Sequence, residues 1–416
     1  MKTILFIALN FYPSASASAK RIGKFCKYLP RFNYNPIVLT IKKKYYENVD
    51  NSLEIEKLDI YRTNTLLAKR PRPSKTFYLF RMLVFYFMRC IEKYSFPDKY
   101  IFWLPFAIIK ANYIIKSKRV DQIYATGPWF STFIIGYLLK KIYKIMLIIE
   151  FRDQWSLNVV YKRGKSAILH KYFDKKIMKN ADKIIFTSNG FFEQYKREYP
   201  KLGFNNVEVI QNSYDPDDFK GTETMKEDRF VVTYAGNFYW PRNPDAFLKA
   251  LSVLRHERKI NRNNFKFINI GNLQKNKIVN DDVKCLIEYK GKLSHNKTIS
   301  YLKGSDLLLL IVAHGHEKNI PAKIYEYMAI GKPIFVLSPE GAVVEEIIKY
   351  ANCGVVANIN DINDIKEKLF ALYKNDKRNS IYKIDRSKLI DFSCLKTTKQ
   401  LANILSTLTA TIEEEV

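Results

Sequence analysis

Cysteine and histidine are scarce in this chain of 416 residues, and their spacing argues against a disulfide-rich domain and against a small zinc-binding domain. The five cysteines, at positions 26, 90, 285, 353 and 394, are odd in number and form no CxxC pair. This usage argues against a disulfide framework or a zinc ribbon and is typical of a reducing, cytoplasmic setting. His314 and His316 form an HxH pair, but no third and fourth ligand is evident. We therefore expect loop histidines that line a cleft, and no metal site.

Uninterrupted apolar runs are short. MKTILFIALNF at the start is followed by tyrosine, proline and serines where a signal peptide would continue, so we interpret it as a buried strand. The stretch 76–94, TFYLFRMLVFYFMRCIEKY, contains Arg81 and Arg89 and falls short of the roughly 20 apolar residues that span a bilayer. The basic segment AKRPRPSK precedes it. Two interpretations stay open, an interfacial helix on an anionic membrane and a buried domain helix with a charged rim.

Acidic residues are few relative to basic ones, with 41 Asp and Glu against 69 Lys and Arg, a formal net charge of +28. The imbalance is concentrated in residues 1–200, which hold 37 basic and 14 acidic residues, whereas residues 201–416 hold 32 and 27. Such a field suits an anionic partner: phospholipid, a lipid-linked pyrophosphate or nucleic acid. The plainer interpretation is that scattered lysines solvate the surface. Nucleic acid is disfavoured because no recognition motif is present and the basic residues alternate with apolar helices.

The length and the alternation of strand and helix patterns predict two α/β domains. A chain of this length exceeds what one hydrophobic core usually serves, and 47% hydrophobic residues supply two cores. QIYAT predicts a strand, GPWFS a turn, TFIIGYLLKK a helix and MLIIEF a further strand, which together form a βαβ unit. Near the start, NFYPSASASAKR predicts a flexible loop between the first strand and a helix over 21–32.

The stretch 306–335 predicts an anion site. An apolar strand, DLLLLIV, precedes a polar loop, and Pro321 begins a helix, AKIYEYMA, that Gly331 ends. This order places backbone N–H groups and the positive end of a helix dipole at the carboxyl edge of a sheet, where phosphate-bearing ligands bind. Glu326 lies inside the helix, so its carboxylate could reach a sugar hydroxyl of a ligand whose phosphates contact the helix start.

The run KIYEYMAIGKPI resembles the donor-site signature of retaining glycosyltransferases of family 4. The resemblance implies the GT-B fold: two Rossmann-like domains facing each other across a cleft. The implied parts are an acceptor-side domain at 1–215, a nucleotide-sugar domain at 216–395, and a helix at 396–416 that could cross back. The family usually carries two glutamates separated by seven residues, the second of which is Glu326, the expected ribose ligand. Lys318 stands at the first position, and Glu317, one residue earlier, is the expected ligand of a sugar hydroxyl.

RFVVTYAGNFYWPRN is the second match, and it implies contacts with the donor diphosphate. Gly236 would let the backbone approach the ligand closely. The family usually has a basic residue next, where this chain has Asn237, and another basic residue farther along, where it has Arg242. The guanidinium of Arg242 can bind a diphosphate bidentately. The resemblance also implies that Ala322 at the helix start and Lys323 in its first turn face the diphosphate.

FRDQW, at the end of the βαβ unit, resembles a stretch of family 4 enzymes that act on cell-surface polysaccharide precursors. By this resemblance Asp153 is the candidate catalytic residue on the acceptor side. Arg152 would contact a phosphate or fix that carboxylate. The alternative is that Arg152 and Asp153 form a buried structural pair.

Small and basic residues replace two family glycines in the first loop. The resemblance implies that Ser16, Ser18 and Lys20 lie near the phosphate or the acceptor, where Lys20 and Arg21 could neutralise phosphate. In the second half, the acidic run 215–217, DPD, predicts a turn or helix cap rather than a metal-binding DxD motif.

The resemblance as a whole implies transfer of a sugar, with retention and without a metal or cofactor, from a UDP- or GDP-linked donor. We expect a lipid-linked or other saccharide acceptor, surface polysaccharide synthesis in a bacterium, and a peripheral position on the inner face of the cytoplasmic membrane. Two alternatives share the fold. A catalytically silent relative that binds glycan or lipid would explain Asn237 and Lys318. A nucleotide-sugar 2-epimerase would be expected to carry more acidic and histidine residues in the cleft.

Overall fold

A computed structural model describes residues 1–53, 55, 57–66, 95–158, 161, 166–238, 242–272, 281–374 and 384–413. The basic segment at 68–75 and the predicted helix at 76–94 lie outside the described residues. The chain divides into two compact units, the first formed by residues 1–211 with 398–416 and the second by residues 212–397.

The first unit is built on a parallel sheet of seven described strands. They are β1 (Lys2–Ile7), β2 (Tyr34–Ile41), β3 (Asp59–Thr63), β4 (Gln122–Thr126), β5 (Met146–Phe151), β6 (Lys183–Phe186) and β7 (Val207–Val209). Their order across the sheet is β3-β2-β1-β4-β5-β6-β7. The helices are α1 (Ala17–Tyr28), α2 (Leu104–Lys118), α3 (Ser131–Tyr143), α4 (Ser166–Asn180) and α5 (Asn189–Glu198).

Both faces of this sheet are covered. Alternate side chains of a strand point to opposite faces, and in β1 Ile4 and Phe6 enter one hydrophobic cluster while Leu5 and Ile7 enter another. All four are fully buried. A strand that is buried on both faces is a continuous apolar run, which is the reason that TILFIAL, QIYAT and MLIIEF were recognisable as parallel strands.

The second unit repeats this architecture with six described parallel strands. They are β8 (Phe230–Ala235), β9 (Phe265–Ile270), β10 (Ile287–Gly291), β11 (Leu307–Ile311), β12 (Ile334–Ser338) and β13 (Gly354–Asn358), in the order β10-β9-β8-β11-β12-β13. The helices are α6 (Asp245–His256), α7 (Asp281–Lys284), α8 (His295–Gly304), α9 (Lys323–Ile330), α10 (Val344–Ala351), α11 (Ile362–Lys374) and α12 (Arg386–Leu389). The predicted α/β class with two Rossmann-like domains is confirmed.

The last helix, α13 (Cys394–Glu413), begins in the second unit, and its residues from Thr398 onward belong to the first unit. Leu401 and Leu405 are fully buried in the same cluster as Ile4 and Phe6. Gln122 of β4 donates a side-chain hydrogen bond to the Leu405 carbonyl at 2.8 Å. The C-terminal helix is therefore part of the hydrophobic core of the first unit.

The predicted flexible loop after β1 is wrong in its second half. Helix α1 begins at Ala17, four residues earlier than expected, and the Ser16 hydroxyl caps it by accepting a hydrogen bond from the Ala19 N–H at 3.2 Å. Serine is a strong N-cap and alanine is the best helix former, so SASASAK favours a capped helix start. Ser18 and Lys20 accordingly lie in the helix and not in a loop.

Each sheet has one point where the chain reverses the direction in which it adds strands. In the first unit it lies between β1 and β4, and in the second between β8 and β11. Ligands of open parallel sheets bind outside the carboxyl ends of the strands at such a point. The predicted donor residues follow β8 and β11, and the predicted acceptor-side residues follow β1 and β5. Among the described helices, none is long and apolar enough to cross a membrane.

Candidate functional site

Lys323 and Gly236 meet at the carboxyl end of β8. The Lys323 ammonium lies 4.5 Å from the centroid of the Tyr234 ring and 3.5 Å from the Tyr234 hydroxyl. A Cβ atom placed on Gly236 would lie 1.9 Å from the Lys323 Nζ. Glycine at position 236 is thus what allows the ammonium to rest directly against the backbone that follows β8.

Helix α9 points its N-terminus at the same sheet edge. Ala322 is its N-cap residue and makes no side-chain cap, and Lys323 is its first residue. The Tyr327 hydroxyl accepts a hydrogen bond from the Ala235 N–H at 3.0 Å, which ties the helix to the end of β8. Gly331, at a φ of 82°, ends the helix as predicted. Helix N–H groups and an ammonium at one sheet edge form a cradle suited to phosphate.

Two other predicted donor residues, Asn237 and Arg242, make separate contacts. Asn237 is exposed, and its side-chain oxygen accepts a hydrogen bond from the Asn272 N–H at 2.9 Å. Arg242 is half-buried, and its charge acts on His316. Burial lowers the pKa of His316, the positive charge of Arg242 lowers it further, and Glu317 opposes both. His316 therefore adds no cationic charge near neutral pH.

Glu317 is turned into its own loop. Its carboxylate accepts a hydrogen bond from the Gly315 N–H at 2.8 Å and lies 4.0 Å from the His314 Nδ1. His314 in turn contacts Asn360 at 2.9 Å. The Gly315 N–H occupies one carboxylate oxygen, Oε1, and a carboxylate can accept further hydrogen bonds, such as the one from a sugar hydroxyl that the resemblance implies.

Glu326 lies in the first turn of α9, beside two residues that the sequence patterns did not single out. Asp218, His295 and Glu326 each offer a ligand atom, and these atoms all lie within 4.8 Å of one another. Carboxylate and imidazole are ligand types that metals use, and the HxH pair is not part of this group. The predicted cap at 215–217 is confirmed, because the Asp215 carboxylate accepts the Asp217 N–H at 3.0 Å and begins a 3-10 helix, Pro216–Phe219.

In the first unit, a buried carboxylate organises the carboxyl end of the sheet. Glu150 of β5 is fully buried and lies 2.7 Å from the Arg21 Nε, while its second oxygen accepts the Thr126 hydroxyl at 2.7 Å. Burial raises the pKa of Glu150, but the charges of Arg21 and Arg152 outweigh this and leave it lowered. Removing one partner of such a buried pair typically costs about 3–5 kcal/mol.

This network also determines what the neighbouring arginines can do. Arg21 is 5% exposed and donates to the carbonyls of Gln211 and Ile210 at 2.6 and 2.8 Å, so it is an internal side chain and not the exposed phosphate ligand that we expected. Arg152 donates to the Thr126 hydroxyl at 2.8 Å and lies 3.7 Å from Glu150.

Asp153 lies at the start of a loop that two helices hold in place. The Trp155 N–H donates to the Tyr195 hydroxyl at 2.8 Å, and the Ser156 N–H donates to Asp174 at 3.1 Å. Tyr195 also donates to Asp174, at 3.1 Å. Asp153 itself is half-buried and electrostatically coupled to Arg152. The predicted acceptor-side carboxylate therefore sits on a fixed loop next to a cation.

The structure thus brings Gly236, Ala322, Lys323 and Glu326 together in the second unit, and Arg152 and Asp153 together in the first. Ser16, Ser18 and Lys20 lie along the start of α1, where Ser16 is engaged as the cap. Sequence reasoning missed Glu150, Asp218 and His295. A glutamate within the apolar strand MLIIEF was a signal for a buried charge pair, whereas nothing local marks Asp218.

The comparisons with known proteins concern the second unit most directly. Residues 215–388 match the family described as "Glycosyl transferases group 1". An uncharacterized glycosyltransferase of Methanocaldococcus jannaschii is 27% identical over 266 residues, which are 63% of this chain and 68% of that protein.

Solved structures share the whole architecture at low identity. Sucrose-phosphate synthase from Thermosynechococcus elongatus superposes with a TM-score of 0.72 at 13% identity, covering 99% of this chain and 100% of the other. Anabaena HepE, solved in complex with UDP-glucose, gives a TM-score of 0.64 at 13% identity, covering 98% and 100%. At such identity these likenesses establish the fold. The family match and the shared fold together support a glycosyltransferase with the GT-B fold.

Proposed function

We propose that this protein is a retaining, metal-independent glycosyltransferase of family 4 that takes a sugar from a UDP- or GDP-linked donor. The observation that carries the proposal is the Lys323 ammonium resting against Gly236 at the N-terminus of α9. A diphosphate is the ligand that such a cradle fits best, because it can accept from the helix N–H groups and pair with the ammonium. The likeness in fold to the UDP-glucose complex of HepE agrees with a nucleotide-sugar donor.

Charge stabilisation would drive the reaction. As the bond from sugar to diphosphate breaks, negative charge grows on the leaving diphosphate, and Lys323, Arg242 and the start of α9 offset it. Only contacts that strengthen as the bond breaks accelerate transfer, and preorganised cations in a fixed cradle do so. Glu326 would bind a ribose hydroxyl, and Glu317 would bind a hydroxyl of the transferred sugar.

Asp153 is the candidate catalytic carboxylate on the acceptor side. Its cationic neighbour Arg152 lies within the buried network around Glu150 and can still attract a phosphate of a lipid-linked acceptor. We propose a lipid-linked saccharide in bacterial surface polysaccharide synthesis, used at the inner face of the cytoplasmic membrane. The excess of 37 basic over 14 acidic residues in 1–200 supports an anionic surface as partner.

A transfer assay tests this function directly. Purified protein is incubated with a panel of UDP- and GDP-linked sugars, a membrane extract containing lipid-linked saccharides, and a metal chelator. We expect release of one nucleoside diphosphate and a product whose anomeric configuration, measured by NMR, equals that of the donor. Asp153→Asn should lose transfer while keeping donor binding. An inverted product would overturn the retaining mechanism, and interconversion of the free donor without acceptor would identify a 2-epimerase.

A further inference from the structure

Three segments of the second unit meet at the first turn of α9. Asp218 comes from the 3-10 helix Pro216–Phe219, His295 is the first residue of α8, and Glu326 belongs to α9. The His295 Nε2 lies 3.5 Å from an Asp218 carboxylate oxygen. The His295 side chain is only 8% exposed and that of Asp218 is 23% exposed. These side chains are held inside the unit, next to the glutamate assigned above to the ribose.

The segment that carries Asp218 is fastened onto α8. Lys303, near the end of that helix, donates hydrogen bonds to the carbonyls of Phe219 and Thr222 at 2.8 and 3.2 Å. The Met225 N–H donates to the Ser300 carbonyl at 3.2 Å. These contacts fix the position of the segment on the last part of α8.

The segment also packs closely against the end of α8, which leaves little room for it to move. Gly304 is the last residue of α8, and a Cβ atom there would lie 1.7 Å from the Met225 carbonyl oxygen. Since backbone and not a flexible side chain occupies that space, any larger residue would push the segment off the helix. Both ends of the segment 215–225 are therefore fixed, one by its capped 3-10 turn and the other by the contact at Gly304. This arrangement keeps Asp218 facing His295.

We propose that Asp218 and His295 are positioning residues that orient the Glu326 carboxylate toward the ribose of the donor. The inference rests on the proposed function, in which Glu326 binds that ribose. Two carboxylates within 4.8 Å repel each other, and the imidazole beside them offers an N–H that a carboxylate can accept. Without it, Glu326 would rotate away from its neighbour. Oriented by it, Glu326 keeps its outer lone pairs directed at the ligand, and a preorganised carboxylate binds a hydroxyl more tightly.

The test compares nucleoside diphosphates with and without ribose hydroxyls. Dissociation constants of UDP and GDP and of their 2′-deoxy and 3′-deoxy forms are measured by calorimetry for each variant. A hydrogen bond to a charged group contributes enough for roughly tenfold discrimination between ribo and deoxy forms. We expect His295→Ala and Asp218→Asn to weaken ribonucleotide binding and to leave deoxynucleotide binding unchanged. Adding His295→Ala to Glu326→Gln should cost no further affinity, and His295→Gln should restore part of the loss.

His256→Ala is the matched control. It removes another histidine–aspartate pair of the same unit, in which the His256 Nε2 lies 3.3 Å from Asp282 on an exposed face. This variant should change neither constant. Equal weakening of ribo and deoxy forms by His295→Ala or Asp218→Asn would show a merely structural pair and overturn the inference.

Two further results distinguish a failure of this inference from a failure of the proposed function. If the wild-type protein binds no nucleoside diphosphate, the proposed function fails and the inference fails with it. If magnesium or manganese alone raises the melting temperature of the wild type and His295→Ala abolishes this rise, the three residues are a cation site and not a positioning device. We expect no such rise.

Discussion

Asp174 is a residue whose ionisation bears on the acceptor-side loop. It is fully buried, and burial raises its pKa to about 7 although hydrogen bonds from Ser156 and Tyr195 act in the opposite direction. The neutral acid is the form that the folded chain prefers at mildly acidic pH. One side-chain oxygen, Oδ1, makes no hydrogen bond to any described residue, and the other holds the loop that follows Asp153.

This pKa predicts a loss of stability as pH rises. Between the unfolded value of about 4 and the folded value of about 7, the folded state keeps a proton that the unfolded state releases, so stability is greatest at the acidic end of this window. Asp174→Asn does not titrate and its side-chain oxygen can accept the same two hydrogen bonds. We expect the wild type to lose more stability than Asp174→Asn between about pH 5 and pH 8, measured by urea unfolding. Parallel stability curves for the two proteins would contradict the assignment.

Residue-level predictions succeeded where the chemistry was local. The cap at Asp215 and the helix end at Gly331 depend on neighbours a few positions away, and the sequence contains those neighbours side by side. Glu150 pairs with Arg21, which lies 129 positions earlier, and no local pattern specifies that partner. Asp218 and His295 were missed for the same reason, because they come together only when the segment 215–225 packs on α8.

At the scale of elements, the end of β8 and the start of α9 together provide the proposed contacts with the diphosphate. The strands on which they depend were predictable because an apolar run with both faces buried differs from every surface segment. The start of α1 was not, because small residues suit both a flexible loop and a capped helix. Backbone contacts with a distant segment fix the chain just before the helix: the Ala15 N–H donates to the Asn48 carbonyl at 3.1 Å, and the Asp50 N–H donates to the Pro13 carbonyl at 2.8 Å.

Gly236→Ala tests the contact between these elements. The new methyl group would occupy the place of the Lys323 ammonium, and a lysine end can move away at little cost, so we expect a stability change under about 1 kcal/mol. Displacement of the ammonium should weaken nucleoside diphosphate binding by about tenfold or more. In a Lys323→Ala background the same substitution should cause no further loss. Additive losses in the double variant would show that Gly236 acts independently of Lys323.

At the scale of the whole molecule, basic charge and exposed apolar residues occur together in the first unit. On α4, Ile168 is 79% exposed and Tyr172 is 55% exposed, and Lys171 and Lys175 are exposed between and beside them. An apolar and basic helix face of this kind suits an anionic lipid surface.

Vesicle sedimentation tests the membrane proposal. We expect the protein to bind vesicles that contain anionic phospholipid, to dissociate as salt is raised, and to bind neither neutral vesicles nor DNA or RNA. Ile168→Ser should weaken this binding. Ile390→Ser is the matched control, because Ile390 is 61% exposed in the less basic second unit. Salt-independent binding, or equal effects of the two substitutions, would contradict the proposal.

The central claim is that the second unit binds a nucleoside diphosphate at Gly236, Lys323 and Glu326. Its most direct test is the thermal stability of the purified protein with a panel of nucleoside diphosphates. A ligand at about 100 times its dissociation constant should add roughly 2.7 kcal/mol of stability. We expect a shift with UDP or GDP that is smaller in Arg242→Ala and in Glu326→Ala than in the wild type. If no nucleotide shifts the melting temperature, or if both variants show the same shift as the wild type, this binding site is contradicted.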